Sequence, residues 1–77
     1  MSELLPLFAN LAGRRVVLIG GGQVAAAKLV QLLAAGADVR VIAPGVHADI
    51  EASGVAIERR EFVAADLDDA WFVVAAT

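Results

Sequence analysis

Apolar residues along this chain gather into short, nearly continuous runs broken by glycine and charge. Arg14-Arg15-Val16-Val17-Leu18-Ile19 is rich in β-branched residues and stops at glycine. Such a run suits a strand covered on both faces, as in a parallel sheet. Residues 24–35 are rich in Ala and Leu and contain no Gly or Pro. There Leu29, Leu32 and Leu33 give the three–four spacing of a buried helical stripe, with Lys28 and Gln31 as polar interruptions. Gly36 takes the usual helix-stop position. Residues 38–43 form a second β-branched run, halted by Pro44-Gly45. Residues 47–53 predict a short second helix ended by Gly54. Residues 55–59 alternate as a third, more exposed strand. Residues 62–69 predict a turn or short helix. Residues 70–76 predict a fourth strand that includes Trp71, which is expected in the core. Ahead of all this, Leu4-Leu5-Pro6-Leu7-Phe8 is an apolar lead-in that Pro6 keeps from being a long helix, and residues 10–13 read as a turn.

The order β-α-β-α-β-(α)-β predicts an α/β fold. Its first βαβ unit covers residues 14–43, about the ~30 residues such a unit needs. The expectation is a Rossmann-type doubly wound parallel sheet of about four strands in the order 3-2-1-4, with a right-handed crossover. A fourth apolar strand at the sheet edge is a feature natural proteins avoid. Residues 1–77 are therefore read as the N-terminal part of a longer cofactor domain.

Composition narrows the class. Hydrophobic residues make up 60% of the 77 residues and charged residues 19%. A core of this size is marginal, so the apolar surplus is read as surface for more of the fold or for a second subunit. The net charge of −3, from six basic and nine acidic residues, argues against nucleic acid, which needs clustered Lys and Arg. Without cysteine there are no disulfides or thiolate metal sites, and one histidine makes no metal site alone. No stretch approaches a membrane helix, and Met1-Ser2-Glu3 is no signal-peptide start. Cytoplasm is the expected compartment.

The candidate chemistry lies in Gly20-Gly21-Gly22-Gln23-Val24-Ala25. Read as Gly-x-Gly-x-x-Ala between strand and helix, it matches the dinucleotide fingerprint. Gly20 permits the tight turn out of the strand. Gly22 lets backbone approach a pyrophosphate. Ala25 allows close helix–strand packing. The free N–H groups near Gln23 and Val24 then face the phosphates. The acidic residue expected about 20 positions on, to bond the ribose, is missing: residues 39–47 hold no carboxylate. Arg40 is mid-strand and reads as a solvated charge in preference to a partner for a 2′-phosphate. Pro44 and Gly45 lie where the adenosine ribose should sit, so backbone contacts are expected to replace the acid. The residues leave NAD and NADP undecided. His47 reads as a helix start in preference to an acid–base group. Asp66, Asp68 and Asp69 read as a solvated turn in preference to a cation site. No nucleophile–base pair is visible.

The whole pattern resembles the precorrin-2 dehydrogenase/sirohydrochlorin ferrochelatase family, the N-terminal module of siroheme synthases. The matching stretches are Leu5-Pro6-Leu7-Phe8; Gly13-Arg14; Val16 through Gly22; Val24-Ala25 and Lys28; Leu32 through Ala37; Val39 through Pro44; and Trp71 through Thr77. The resemblance implies NAD as cofactor and oxidation of precorrin-2 to sirohydrochlorin, followed in many members by insertion of ferrous iron. It implies NAD contacts at Gln23 and Val24, at Pro44 and Gly45, and at Thr77 on the cofactor edge. It implies a homodimer, and a catalytic aspartate that has no counterpart in these 77 residues, which alone are expected to be inactive. Competing readings are a regulatory nucleotide-sensing domain, disfavoured by the missing post-strand acid, and a Rossmann fragment of another dehydrogenase.

Overall fold

The computed structural model describes residues 11–76; the apolar lead-in at residues 4–8 and Thr77 lie outside them. Four strands are present: β1 (Arg15–Ile19), β2 (Asp38–Ile42), β3 (Ala56–Glu58) and β4 (Phe72–Ala75). Two α-helices, α1 (Gln23–Ala34) and α2 (Ala48–Ala52), connect the first three, and a 3₁₀ turn at Ala64–Leu67 precedes β4. All strands pair in parallel, in the order β3-β2-β1-β4. This is the expected Rossmann topology.

Sequence pattern and burial agree where the sheet is deepest. Val16, Val17 and Leu18 of β1 are all buried. Consecutive strand residues point to opposite faces, so both faces of β1 are covered. On one face Val16, Leu18, Val39 and Val41 pack with Ala25, Ala26, Leu29 and Leu32 of α1 and with Ile50 of α2. On the other, Val17 and Ile42 are buried. Arg40 sits between Val17 and Ala56 in register and keeps its side chain exposed. β3 is the most exposed of the first three strands, as its alternation foretold.

Helix α1 ends where Gly36 takes φ +80°, a conformation that favours glycine. The amide of Ala37 then bonds to the Leu32 carbonyl at 3.1 Å, the long return bond of a Schellman cap.

Two expectations fail. Leu33 is 41% exposed: it opens onto a groove between α1 and α2, and the five-residue α2 is too short to roof it. Trp71 is half exposed, because β4 starts one residue later and leaves the indole at the sheet's N-terminal end. There the Arg14 guanidinium lies 4.5 Å from the ring centre, and a cation over an aromatic face stabilises both without burial. Val24, Val30, Val63 and Leu67 are also well exposed, in keeping with the apolar surplus in the composition.

Candidate functional site

The carboxyl ends of the strands open into a cleft of about 680 Å³, within the range of small-molecule sites. Ile19, the three glycines, Gln23 and Val24 line it from β1 and α1; Ile42, Ala43, Pro44 and Gly45 from β2; Glu61 and Phe62 from beyond β3; and Ala76 from the end of β4. In an open parallel sheet this is where ligands bind, at the point where the strand order reverses. Gly20, Gly22, Gln23, Val24, Pro44 and Gly45, singled out from sequence, thus share one cleft. Thr77 lies outside the described residues.

The three glycines of the loop stand in three different situations. Gly20 has φ +125°, a region that L side chains rarely adopt, and its amide bonds to the Ile42 carbonyl at 3.1 Å. Gly21 needs no special φ, but it has no room. A Cβ there would stand 1.9 Å from the carbonyl oxygen of Gly45 and 3.0 Å from the Val46 Cα. The Gly21 carbonyl also accepts the His47 amide at 2.6 Å. The β1–α1 and β2–α2 loops are therefore joined backbone to backbone at Gly21. Gly22 is the opposite case. It is extended (φ −88°, ψ −161°), and a Cβ on it would meet nothing within 4 Å. Among the described residues no contact demands a glycine there, which leaves open space in front of it.

Helix α1 begins at this point with its amides unspent. The first bond into the helix runs from the Ala26 amide to the Gly22 carbonyl. Among the described residues no side chain caps the helix and no acidic residue occupies its first turn. The N–H groups of Gln23 and Val24 and the positive end of the helix dipole remain available to an anion. Ala25, the third small position, is fully buried, as close helix–strand packing requires.

The remaining sequence candidates have structural roles, and Asp66, expected in a solvated turn, has a side chain only 6% exposed. His47 caps α2, its Nδ1 accepting the Asp49 amide at 3.1 Å. Asp66 binds the Arg60 guanidinium through two hydrogen bonds, at 2.9 and 2.5 Å, and accepts the Val63 amide at 2.8 Å. Asp69 faces Arg15 across 3.8 Å.

The Arg60 hydrogen bonds, and then the Val63 amide, hold the Asp66 carboxyl well below its ordinary value, at about 2. A carboxyl depressed in the folded state contributes stability that is complete above its unfolded pKa. That contribution fades as pH falls from about 4 towards 2. Unfolding midpoints measured across this window are expected to drop more steeply in the native protein than in an Asp66→Asn variant. At neutral pH the variant is expected to be the less stable of the two.

Sequence reading missed Glu61 and Phe62 as cleft residues. The available signal was positional: both follow a parallel strand at its carboxyl end. The ragged alternation after β3 and its missing helix hid this.

A family model described as putative NAD(P)-binding matches residues 7–77. The chain belongs to this NAD(P)-binding family. It is 42% identical, over 97% of its length, to a siroheme synthase of Pseudomonas fluorescens (strain SBW25). It is 45% identical, over 94%, to a siroheme synthase of Neisseria meningitidis serogroup B. It spans only 17% and 16% of those two relatives. Among solved structures it is similar to SirC, a precorrin-2 dehydrogenase, with a TM-score of 0.81 at 38% identity, covering 88% of this chain and 36% of that one. The family resemblance read from the Leu-Pro-Leu-Phe lead-in and the triple glycine is therefore upheld.

Proposed function

We propose that this chain is the NAD cradle of a precorrin-2 dehydrogenase within a longer siroheme synthase. The observation that carries the reading is the cleft. Gly22 lines it with open space where a Cβ would go, Gln23 and Val24 line it at a helix start that no described side chain caps, and it stands in a chain similar to SirC over most of its length. In this reading the pyrophosphate rests on the amides of Gln23 and Val24, with Gly20 and Gly22 beneath it. The adenosine half lies against Pro44 and Gly45, and Thr77 borders the other side. When bound, NAD supplies the hydride acceptor for the two-electron oxidation of precorrin-2 to sirohydrochlorin. The protein's part here is to fix the cofactor.

The groups that act on the tetrapyrrole, the insertion of ferrous iron and the homodimer interface are assigned to the rest of such a protein. The cytoplasm is its compartment. Among the described residues no helix is long and apolar enough to cross a membrane.

Calorimetric titration of the 77-residue chain is expected to show saturable NAD binding with one site. An assay with precorrin-2 is expected to show no turnover by the chain alone and turnover by the longer protein. Failure to bind either NAD or NADP overturns the cofactor reading. Sirohydrochlorin formation by the 77 residues alone overturns the division of labour.

A further inference from the structure

The cleft holds one charged side chain among its described lining residues, and it is a carboxylate. Glu61 follows β3, the strand beside β2, so it stands on the same side of the glycine loop as Pro44 and Gly45. That is the adenosine side, because the usual ribose-binding acid comes from the end of β2. In this chain the end of β2 offers only Pro44 and Gly45, with no polar side chain. Among the described residues no Arg or Lys lines the cleft to receive a phosphate.

The segment bearing Glu61 is held in place from both sides. Arg60 donates from Nη1 to the Glu61 carbonyl at 3.1 Å while its guanidinium is bound to Asp66. Asp66 in turn accepts the Val63 amide just after Phe62. The guanidinium is thus fully engaged, with Glu58 a further 3.6 Å neighbour, and is not available to neutralise Glu61. Among the described residues the Glu61 carboxylate makes no hydrogen bond or ion pair of its own. It is exposed at the cleft, on a backbone fixed before a ligand arrives, which lowers the ordering cost of binding. Phe62, beside it, offers a half-buried apolar surface.

We propose that Glu61 is the specificity-determining residue for the cofactor. It selects NAD over NADP by accepting hydrogen bonds from the adenosine ribose hydroxyls and repelling a 2′-phosphate at the same position. A carboxylate is a pure acceptor, matched to a diol and mismatched to a second anion. Phe62 gives the adenine an apolar wall. The acid that the fold usually takes from β2 comes instead from the connection after β3.

This inference rests on the cofactor reading above, and the test separates the two. NAD, NADP, ADP-ribose and 2′-phospho-ADP-ribose are titrated against the full chain, against Glu61→Gln and against Glu61→Arg. Melting curves run alongside, and they are expected to coincide because the side chain is exposed and unpaired among the described residues. The native chain is expected to prefer NAD. Glu61→Gln is expected to weaken NAD and ADP-ribose by about tenfold, the size of a lost charge-assisted hydrogen bond, with no loss for the 2′-phosphorylated ligands. Glu61→Arg is expected to invert the preference. If the native chain binds NAD and both variants keep its NAD-to-NADP ratio, the assignment to Glu61 is wrong and the cofactor reading stands. If the native chain binds none of the four ligands, the cofactor reading falls and this assignment with it.

Discussion

A Gly21→Ala substitution is expected to lower the melting midpoint substantially and to remove cofactor binding, although Gly21 is the loop glycine that the dinucleotide fingerprint ignores. The added methyl would stand 1.9 Å from the Gly45 carbonyl oxygen. Backbone carries that oxygen, so no rotamer change relieves the clash and the β2–α2 loop must move away. Overpacking of this kind costs about 1–3 kcal/mol, and more where neighbours are rigid. A 77-residue fold has roughly 4–12 kcal/mol in hand, so the variant should still fold, with a midpoint lowered by about 4–8 °C for each kcal/mol. Binding suffers more, because the displaced residues are Pro44, Gly45 and Val46, and the hydrogen bond from His47 goes with them. A shift of ~1 Å in a positioning element can cost about a hundredfold. Differential scanning fluorimetry, with NAD titration well below the new midpoint, reads both effects. An unchanged midpoint would refute the interlock between the two loops.

Gly22→Asp is expected to behave in the opposite way. Gly22 is the N-cap of α1, in extended conformation, with open space where a Cβ would go. Aspartate is among the preferred N-cap residues and gains a few tenths of a kcal/mol over glycine; it also suits the positive end of the helix. The variant should melt at the same temperature or slightly higher. Its carboxylate, however, would occupy the space in front of the helix amides, against the cofactor's pyrophosphate. Like-charge contact costs several kcal/mol, so affinity should fall by more than about a hundredfold. A stabilised protein that no longer binds NAD is the outcome that identifies Gly22 as a ligand-facing position. Retained affinity would move the pyrophosphate elsewhere.

These two glycines also show how far the sequence could be read. The spacing of Gly20, Gly22 and Ala25 between a β-branched run and an alanine-rich helix located the cleft. It did so because the turn, the ligand approach and the helix–strand contact each impose a local demand that spacing records. The strand order followed from taking the β-α-β-α-β-(α)-β succession as Rossmann topology. Gly21 carried no such mark, since its constraint comes from Gly45, which lies 24 positions away in sequence and meets it only through the fold. Glu61 escaped for the same reason: its place at the cleft depends on β3 lying beside β2, and on the Arg60–Asp66 pair that fixes the loop. Trp71 and Leu33 were misread as core because hydrophobicity alone does not say where a strand begins or how long a neighbouring helix is.

The strand order β3-β2-β1-β4 has a consequence for how the chain is made. β1 can pair with β2 once residue 42 has left the ribosome, but its other edge must wait for Phe72–Ala75. At synthesis rates of about 5–20 residues per second, that edge stays open for roughly 3–10 s after β1 emerges. During that interval the nascent chain presents a central, apolar strand with unpaired backbone groups, the kind of template on which other chains add. Strand pairing itself takes on the order of microseconds, so closure of this edge is timed by synthesis of the residues up to β4 and not by the search of the chain for its partner.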